Sequence, residues 1–144
     1  MGRIMLLGER GVGRRSLARA LGHAPAFMPQ PMAVEFAERF VLPPPEFLEN
    51  RRFYRALITV SMDCGTLLFI QDATRRTSAF PPGFARIFNR HVMGIITKTD
   101  MHEASIERAT RFLESTGLQK IYALSALSGE GLDTLRQDAP ALFT

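Results

Sequence analysis

Residues 3–16 read Arg3-Ile-Met-Leu-Leu-Gly-Glu-Arg-Gly-Val-Gly-Arg-Arg-Ser16. The short continuous apolar run that ends at Gly8 is typical of a strand buried on both faces of a parallel sheet. The glycine-rich segment after it matches the first six positions of the phosphate-binding motif G-x-x-x-x-G-K-[S/T], in which backbone N–H groups surround nucleotide phosphates. Apolar residues at helical spacing continue to Gly22. The pattern therefore predicts a strand, a glycine loop and a helix.

The glycine loop predicts a phosphate site, but two of its positions depart from the motif. Arg14 replaces the lysine and keeps its positive charge, although a planar guanidinium is bulkier than an ammonium group. Arg15 stands where a hydroxyl would coordinate Mg²⁺, and a guanidinium repels a cation. Ser16 lies about 100° further around the helix and is a poor substitute. The alternative interpretation is a glycine turn that serves only packing. The predicted phosphate-binding residues are Gly8, Gly11, Val12, Gly13, Arg14, Arg15 and Ser16.

A second motif follows the apolar run at residues 92–97. Thr97-Lys98-Thr99-Asp100 fits [N/T]-K-x-D, in which the aspartate accepts both N–H donors of guanine and the lysine stem lies along the purine. The next apolar run ends at a segment that fits the loop whose backbone contacts the guanine oxygen. The alternative is that both segments are ordinary turns at strand ends. The predicted base-binding residues are Thr97, Lys98, Asp100, Ser125, Ala126 and Leu127.

Strand and helix patterns alternate along the rest of the chain. Strands are predicted at residues 40–42, 66–71, 92–97 and 121–124, and an exposed loop at residues 23–31. Helices are predicted over residues 49–62, after Ser105 with Ile106, Ala109, Leu113 and Thr116 on one side, and from Leu132 to Leu142. We therefore expect one α/β domain over residues 1–144, with a three-layer, doubly wound, mostly parallel sheet of about five strands. Ligands of such sheets bind beyond the carboxyl ends of the strands.

Composition excludes several classes of protein. The 144 residues are 46% hydrophobic and 22% charged, as in folded domains and unlike disordered chains. The single cysteine, Cys64, and the lack of a long apolar run predict a cytoplasmic protein without a membrane span. The net charge is +4, but the arginine pairs are dispersed, so no nucleic-acid partner is expected. The three histidines are not at metal-ligand spacing, so no metal site is predicted.

The chain resembles the EutP/PduV family along almost its whole length. The segments that carry this resemblance, besides the two motifs, are Ala33-Val-Glu-Phe36, Phe53-Tyr-Arg-Ala-Leu-Ile-Thr59, Pro82-Gly83, Ile95-Ile-Thr-Lys-Thr-Asp-Met101 and Ser115-Thr-Gly117. Members are small Ras-like NTPase-fold proteins encoded with bacterial microcompartments for ethanolamine or propanediol catabolism. The resemblance implies that the chain binds GTP or ATP, and an acetate kinase activity has been assigned to EutP.

The chain departs from that family where the metal chemistry takes place. The family has a D-T-P-G stretch between the Ala-Val-Glu-Phe segment and the following helix, whereas this chain has Leu42-Pro43-Pro44-Pro45. The family's aspartate helps to hold Mg²⁺, and its glycine N–H contacts the γ-phosphate. Leu42 has no ligand atom and Pro45 has no N–H group. The resemblance therefore implies degraded magnesium and γ-phosphate sites.

The predicted function is that of a guanine-preferring pseudo-GTPase that binds GDP or GTP without an efficient Mg²⁺ site and without assigned catalytic residues. Its expected partners are the nucleotide and microcompartment shell or associated proteins. The alternative is an active Mg²⁺-dependent GTPase or acetate kinase, in which Arg14 replaces the lysine and Ser16 or a partner supplies what is missing. A third hypothesis is a nucleotide-free protein interface formed by the arginine pairs and the prolines. The first two hypotheses differ in their dependence on magnesium.

Overall fold

A computed structural model describes residues 2–23, 26–27 and 30–144, so the predicted loop at residues 23–31 lies partly outside the described residues. The strands are β1 (Arg3–Leu7), β2 (Glu35–Ala37), β3 (Phe40–Leu42), β4 (Cys64–Asp72), β5 (His91–Thr97) and β6 (Ile121–Ala123). The α-helices are α1 (Arg14–Ala20), α2 (Pro45–Glu49), α3 (Tyr54–Ser61), α4 (Ile106–Ser115) and α5 (Leu132–Asp138). Short 3-10 helices span Arg51–Phe53, Phe84–Ile87 and Pro140–Phe143.

The strands form one sheet in the order β2-β3-β1-β4-β5-β6. Every neighbouring pair is parallel except β2 and β3. The chain therefore starts in the middle of the sheet at β1, extends it on one side with β3 and β2, and returns to build β4, β5 and β6 on the other. The prediction of a doubly wound, mostly parallel α/β sheet is confirmed. The glycine loop after β1 lies where the strand order reverses, which is the usual ligand site of such sheets.

Both faces of the sheet are covered by apolar clusters. Alternate residues of a strand point to opposite faces, so neighbouring leucines of β1 enter different clusters. Leu7 belongs to the cluster that contains Leu57 of α3 and Leu113 of α4. Leu6 belongs to the cluster that contains Leu17 of α1 and residues of α5. This two-sided burial explains why β1 reads as a continuous apolar run.

The sixth strand, β2, was not predicted, because it is only three residues long and carries no apolar run. Its central residue, Phe36, is 56% exposed. It pairs antiparallel with β3, and Glu35 is opposite Leu42. Because β2 runs in the reverse direction, its first residue lies at the carboxyl edge of the parallel strands. The antiparallel turn therefore brings Glu35 to the ligand-binding edge of the sheet.

The helix predicted over residues 49–62 is confirmed only from Tyr54 to Ser61, because a break at Asn50 and a 3-10 turn precede it. Pro45 instead starts α2 from a first-turn position, where its missing N–H group costs no hydrogen bond. Asn50 then adopts an extended conformation with φ of −133°, and its side chain accepts a hydrogen bond of 3.1 Å from the N–H of Arg52. This cap starts a 3-10 turn, and α3 follows from Tyr54. The prolines therefore begin a helical segment as well as ending a strand.

The predicted cap of α4 is confirmed, since the Ser105 hydroxyl accepts a hydrogen bond of 3.2 Å from the N–H of Arg108. Ala109 and Leu113 are buried as expected, but Ile106 is 45% exposed. Ile106 lies three residues before Ala109 and so is on the same face of α4. The core therefore covers this face only after the first turn of the helix. Within the described ranges, none of the helices has the length and apolar character that a membrane span requires.

Candidate nucleotide site

A cleft of about 760 Å³ opens at the carboxyl edge of the sheet. Its walls are the glycine loop, the start of α1, residues 30–35, residues 42–46 and Lys98. Six of the seven predicted phosphate-binding residues, Gly11 through Ser16, therefore line one cavity. Gly8 begins the same loop but does not line the cavity. A side chain at Gly8 would come within 2.5 Å of the Val12 side chain, so this glycine lets the loop fold back on β1.

The backbone of the glycine loop presents free hydrogen-bond donors. Gly11 and Gly13 have φ values of 80° and 96°, a region that side-chain-bearing residues rarely adopt. Among the described residues, none accepts a hydrogen bond from the N–H groups of Gly13, Arg14 or Arg15. Unpaired backbone donors at a cavity wall are binding groups for an anion. The conformation of the loop therefore suits phosphate oxygens.

Arg14 is turned inward and joins two walls of the cleft. The residue is 8% exposed, and its Nη1 donates to the carbonyl oxygens of Leu6 at 3.1 Å and Pro43 at 2.7 Å. Burial, together with the neighbouring Arg15 charge, lowers the pKa of Arg14 to about 10, so the guanidinium still carries its charge at neutral pH. No carboxylate in the described part of the chain forms a salt bridge with it. Arg14 is therefore a fixed positive charge with no directly bonded carboxylate among the described residues, although the charges of Glu35 and Glu46 partly offset the lowering of its pKa.

The other arginines of the cleft are paired with carboxylates. Arg15 Nη2 lies 2.7 Å from Glu35 Oε1, and the Glu35 side chain is only 8% exposed. Glu35 Oε2 is buried without a hydrogen-bond partner among the described residues. Arg10 Nη2 lies 3.2 Å from Glu46 Oε2 at the mouth of the cleft. With Arg14 and Lys98, the lining has four cations and two carboxylates, so its net charge favours an anionic ligand.

The [N/T]-K-x-D segment is tied directly to the glycine loop. Thr97 Oγ1 donates to the Val12 carbonyl at 2.8 Å, and Lys98 Nζ donates to the Gly11 carbonyl at 2.7 Å. Lys98 adopts a φ of 61°, which directs its stem back across the loop. The two predicted motifs therefore form one hydrogen-bonded unit, although 85 residues separate Thr97 from Val12.

The predicted base-binding segments after the two later strands also meet. Asp100 Oδ1 accepts a hydrogen bond of 2.7 Å from the Ser125 hydroxyl, which in turn accepts one of 3.1 Å from the Ser128 N–H. No described residue bonds the other carboxylate oxygen of Asp100. Ala126 is exposed, and Leu127 is 88% exposed. The geometry leaves an open carboxylate beside an exposed apolar side chain, which suits the polar edge and the flat face of a purine.

Asp72, at the end of β4, positions Lys98. The residue is 2% exposed, and its Oδ1 accepts hydrogen bonds from the Thr74 N–H at 2.8 Å and the Thr74 hydroxyl at 2.6 Å. Its Oδ2 lies 3.0 Å from Lys98 Nζ. Burial alone would raise the pKa of Asp72, but the bonds from Thr74 and Lys98 outweigh it and hold the pKa below the ordinary value of 3.8. Of the charged residues after this strand, Arg75 contacts Glu9 and the Arg10 carbonyl of the glycine loop.

Replacing Asp72 by asparagine is expected to destabilise the protein, and the loss should depend on pH. A carboxyl group whose pKa is lowered on folding stabilises the native state above its unfolded pKa and loses that effect as pH falls through the folded pKa. The difference in unfolding free energy between wild type and D72N should therefore be full at pH 7 and shrink below pH 3.8. Urea titrations at several pH values measure this difference. A gap that stays constant down to pH 2 contradicts the assignment.

Sequence reasoning missed three side chains of the cleft, which are Arg10, Glu35 and Glu46. Each lies in a segment that was singled out for another reason: the glycine loop, the Ala-Val-Glu-Phe segment and the end of the proline run. No local pattern of the sequence gave a signal for their position, which follows from the order of the strands. An antiparallel strand before residues 40–42 would have placed Glu35 at the carboxyl edge. No clusters of His, Cys, Asp and Glu that could hold a metal ion occur within residues 2–23, 26–27 and 30–144.

Solved structures with a similar fold are P-loop GTPases. The Era protein of Aquifex aeolicus, solved with GDP and AlF4−, matches with a TM-score of 0.62 at 19% identity, covering 99% of this chain and 57% of that one. The elongation factor SelB of Methanococcus maripaludis, solved with GppNHp, matches with a TM-score of 0.59 at 18% identity, covering 98% and 33%. This chain is thus much shorter than either protein. These likenesses show a P-loop GTPase fold.

Proteins of the same length range match in sequence. The propanediol utilization protein PduV of Citrobacter freundii is 31% identical over 136 residues, covering 94% of this chain and 91% of the relative. The probable acetate kinase EutP of Salmonella typhimurium is 30% identical over 140 residues, covering 95% and 86%. The model of the PduV-EutP family, described as ethanolamine utilisation and propanediol utilisation, matches residues 1–139. The predicted resemblance is confirmed, and the chain belongs to the PduV-EutP family.

Proposed function

We propose that this chain is a guanine-preferring nucleotide-binding module of ethanolamine or propanediol utilisation, which binds GDP without magnesium and lacks efficient phosphoryl-transfer activity. The observation that carries the proposal is the Arg15–Glu35 ion pair of 2.7 Å, which lies at the position of the motif's metal-binding hydroxyl. The pathway link rests on the family. The proposed protein partners are components of the microcompartments with which such proteins are encoded.

The base end of the cleft supports guanine recognition. The carboxylate of Asp100 has one oxygen held by Ser125 and one left for a ligand. A carboxylate that accepts two N–H donors selects guanine, since adenine lacks that pair of donors on the same edge. Because the bonds from Thr97 and Lys98 hold this loop against the glycine loop, the recognition groups are in place before a ligand binds.

The phosphate end supports binding of a diphosphate. The open N–H groups of Gly13, Arg14 and Arg15 are donors for phosphate oxygens, and the Arg14 guanidinium supplies a buried positive charge. A charged donor makes stronger hydrogen bonds with phosphate than a neutral one does. Arg14 Nη1 is used by two carbonyl oxygens, so its other N–H groups remain for a ligand.

The residues present do not fit a magnesium ion. Arg15 is cationic and is fixed beside the metal-ligand position by Glu35. Leu42, at the position of the family's aspartate, is 2% exposed and packs in the apolar core. Pro45 has no N–H group for a terminal phosphate. Magnesium binds hard oxygen ligands in octahedral geometry, which none of these three side chains provides.

The competing proposal is a magnesium-dependent GTPase or acetate kinase. Ser16 supports it, because this hydroxyl-bearing residue is exposed and lines the cleft one position beyond the motif. In this alternative Arg14 replaces the lysine, and a shift of the first turn of α1 brings Ser16 to the metal. Such a shift would break the Arg15–Glu35 pair, and this cost favours the first proposal.

Calorimetric titration with GDP, GTP and ADP, with Mg²⁺ and with EDTA, tests the proposal. GDP should bind more tightly than ADP. The affinity for GDP should change by less than about twofold between Mg²⁺ and EDTA, because the side chains of Arg15, Leu42 and Pro45 offer no ligand atom to Mg²⁺. Phosphate release from GTP should not exceed the rate in buffer. Turnover of GTP that requires Mg²⁺ would establish the enzyme instead, and the absence of any nucleotide binding would leave the interface hypothesis.

A further inference from the structure

The order of the strands gives the cleft a direction. The base-binding residues follow β5 and β6, on one side of β1, whereas Pro43 follows β3 and Glu35 begins β2 on the other side. The glycine loop follows β1 between them. A nucleotide whose base lies at Asp100 therefore extends its phosphates over the glycine loop toward β3 and β2. The terminal phosphate of the nucleotide would therefore lie nearest to Glu35.

Glu35 is a negative charge at that end of the cleft. Its side chain is only 8% exposed, and its only described partner is Arg15, which bonds Oε1 at 2.7 Å. The second oxygen, Oε2, is buried and receives no hydrogen bond from the described residues. A carboxylate oxygen that is closed to solvent and has no donor among the described residues keeps much of its field.

The pair has opposite consequences for a second and a third phosphate. In this orientation two phosphates would bind the open N–H groups and Arg14, and the Arg15–Glu35 bond would stay intact. A third phosphate brings another negative charge toward the carboxylate and competes with it for Arg15. Like charges in a poorly screened site repel strongly, and an arginine that is already paired contributes little to a new anion.

We propose that Glu35 determines how many phosphates the site accepts, and that it selects a nucleoside diphosphate over a triphosphate by repelling the terminal phosphate and by holding Arg15. This inference rests on the proposed function, since it presupposes a nucleotide in the cleft. Glu35 is thus a specificity-determining residue. The Arg15–Glu35 pair links α1 to β2 and also limits which nucleotide binds.

Affinities of GDP and GTP for the E35Q variant, measured in EDTA, test the inference. The substitution removes the negative charge and frees Arg15, so the preference for GDP over GTP should fall by about tenfold, mainly through tighter GTP binding. The matched control is Glu38→Gln, which removes the same charge from an exposed residue in the turn between β2 and β3, far from the carboxyl edge. The preference of E38Q for GDP over GTP should equal that of wild type.

A second variant gives a change of opposite sign. Arg15→Gln removes the cation and leaves Glu35 unpaired, so the preference for GDP should rise. A preference that stays within about twofold of wild type in both E35Q and R15Q overturns the role of Glu35 while GDP binding itself persists. Should E35Q fail to fold, an unchanged preference in R15Q alone overturns it. If wild type binds neither nucleotide, the proposed function fails, and this inference fails with it.

Discussion

Replacing Asp100 by asparagine is expected to lower GDP affinity by about 100-fold and to abolish the preference for GDP over ADP, since a site built on a charged acceptor discriminates steeply. The Ser125 hydroxyl donates to one carboxylate oxygen at 2.7 Å. In the asparagine variant the amide oxygen keeps that bond, which turns the amide NH₂ toward the ligand. The two N–H donors of guanine would then face the asparagine NH₂ group, which is itself a donor. Competition of GDP and ADP against a fluorescent guanine nucleotide measures the change.

The control for this substitution is Asp133→Asn. Asp133 lies on α5 with its side chain 97% exposed, and it pairs with Arg136 at 3.4 Å on the surface. Loss of the Asp133 carboxylate should leave the affinities for GDP and ADP unchanged. If D100N retains a wild-type preference for GDP, the loop after β5 does not recognise the base, and the assignment of the [N/T]-K-x-D motif is wrong.

Replacing Arg14 by alanine is expected to weaken GDP binding by more than about 100-fold, because a desolvated charged donor to phosphate is lost. It should also lower the free energy of unfolding by about 2–4 kcal/mol, since buried carbonyl oxygens lose their donor and the side chain leaves a cavity. The two carbonyl groups concerned are those of Leu6 and Pro43. Calorimetry with GDP and urea unfolding monitored by circular dichroism measure the two effects.

Two further variants separate binding from folding. Arg14→Lys keeps the charge but cannot bond two carbonyl oxygens and a phosphate in a plane, so it should retain GDP binding and lose part of the stability. Arg19→Ala removes an exposed arginine from the last turn of α1 and should change neither. If R14A folds and binds GDP like wild type, Arg14 is not part of the phosphate site.

Much of the fold could be predicted because the central strands are buried on both faces. β1, β4 and β5 read as continuous apolar runs, and the glycines and Ser105 mark where the adjoining segments begin and end. The edge strand β2 gave no such signal, since Phe36 faces solvent. The helix over residues 49–62 was overextended because apolar spacing does not reveal the local bond by which Asn50 interrupts it.

The predicted site residues came from motifs, and the structure places them at one edge of the sheet. The contacts that give the cleft its chemistry were not predictable in the same way. The ion pair between Arg15 and Glu35 joins residues 20 positions apart, and the bond from Arg14 to Pro43 joins residues 29 apart. Such pairings depend on strand order and on side-chain direction, which a local pattern does not contain. The sequence indicated which groups the motif had lost but not what the replacements bind.

The proline run from Pro43 to Pro45, which joins β3 to α2, limits how this wall of the cleft can be observed. Three consecutive prolines carry no amide proton, so they give no signal in amide hydrogen exchange or in amide-proton-detected NMR. Spectroscopic reporters would have to be the carbonyl carbon of Pro43, which Arg14 contacts, or the flanking amides of Leu42 and Glu46.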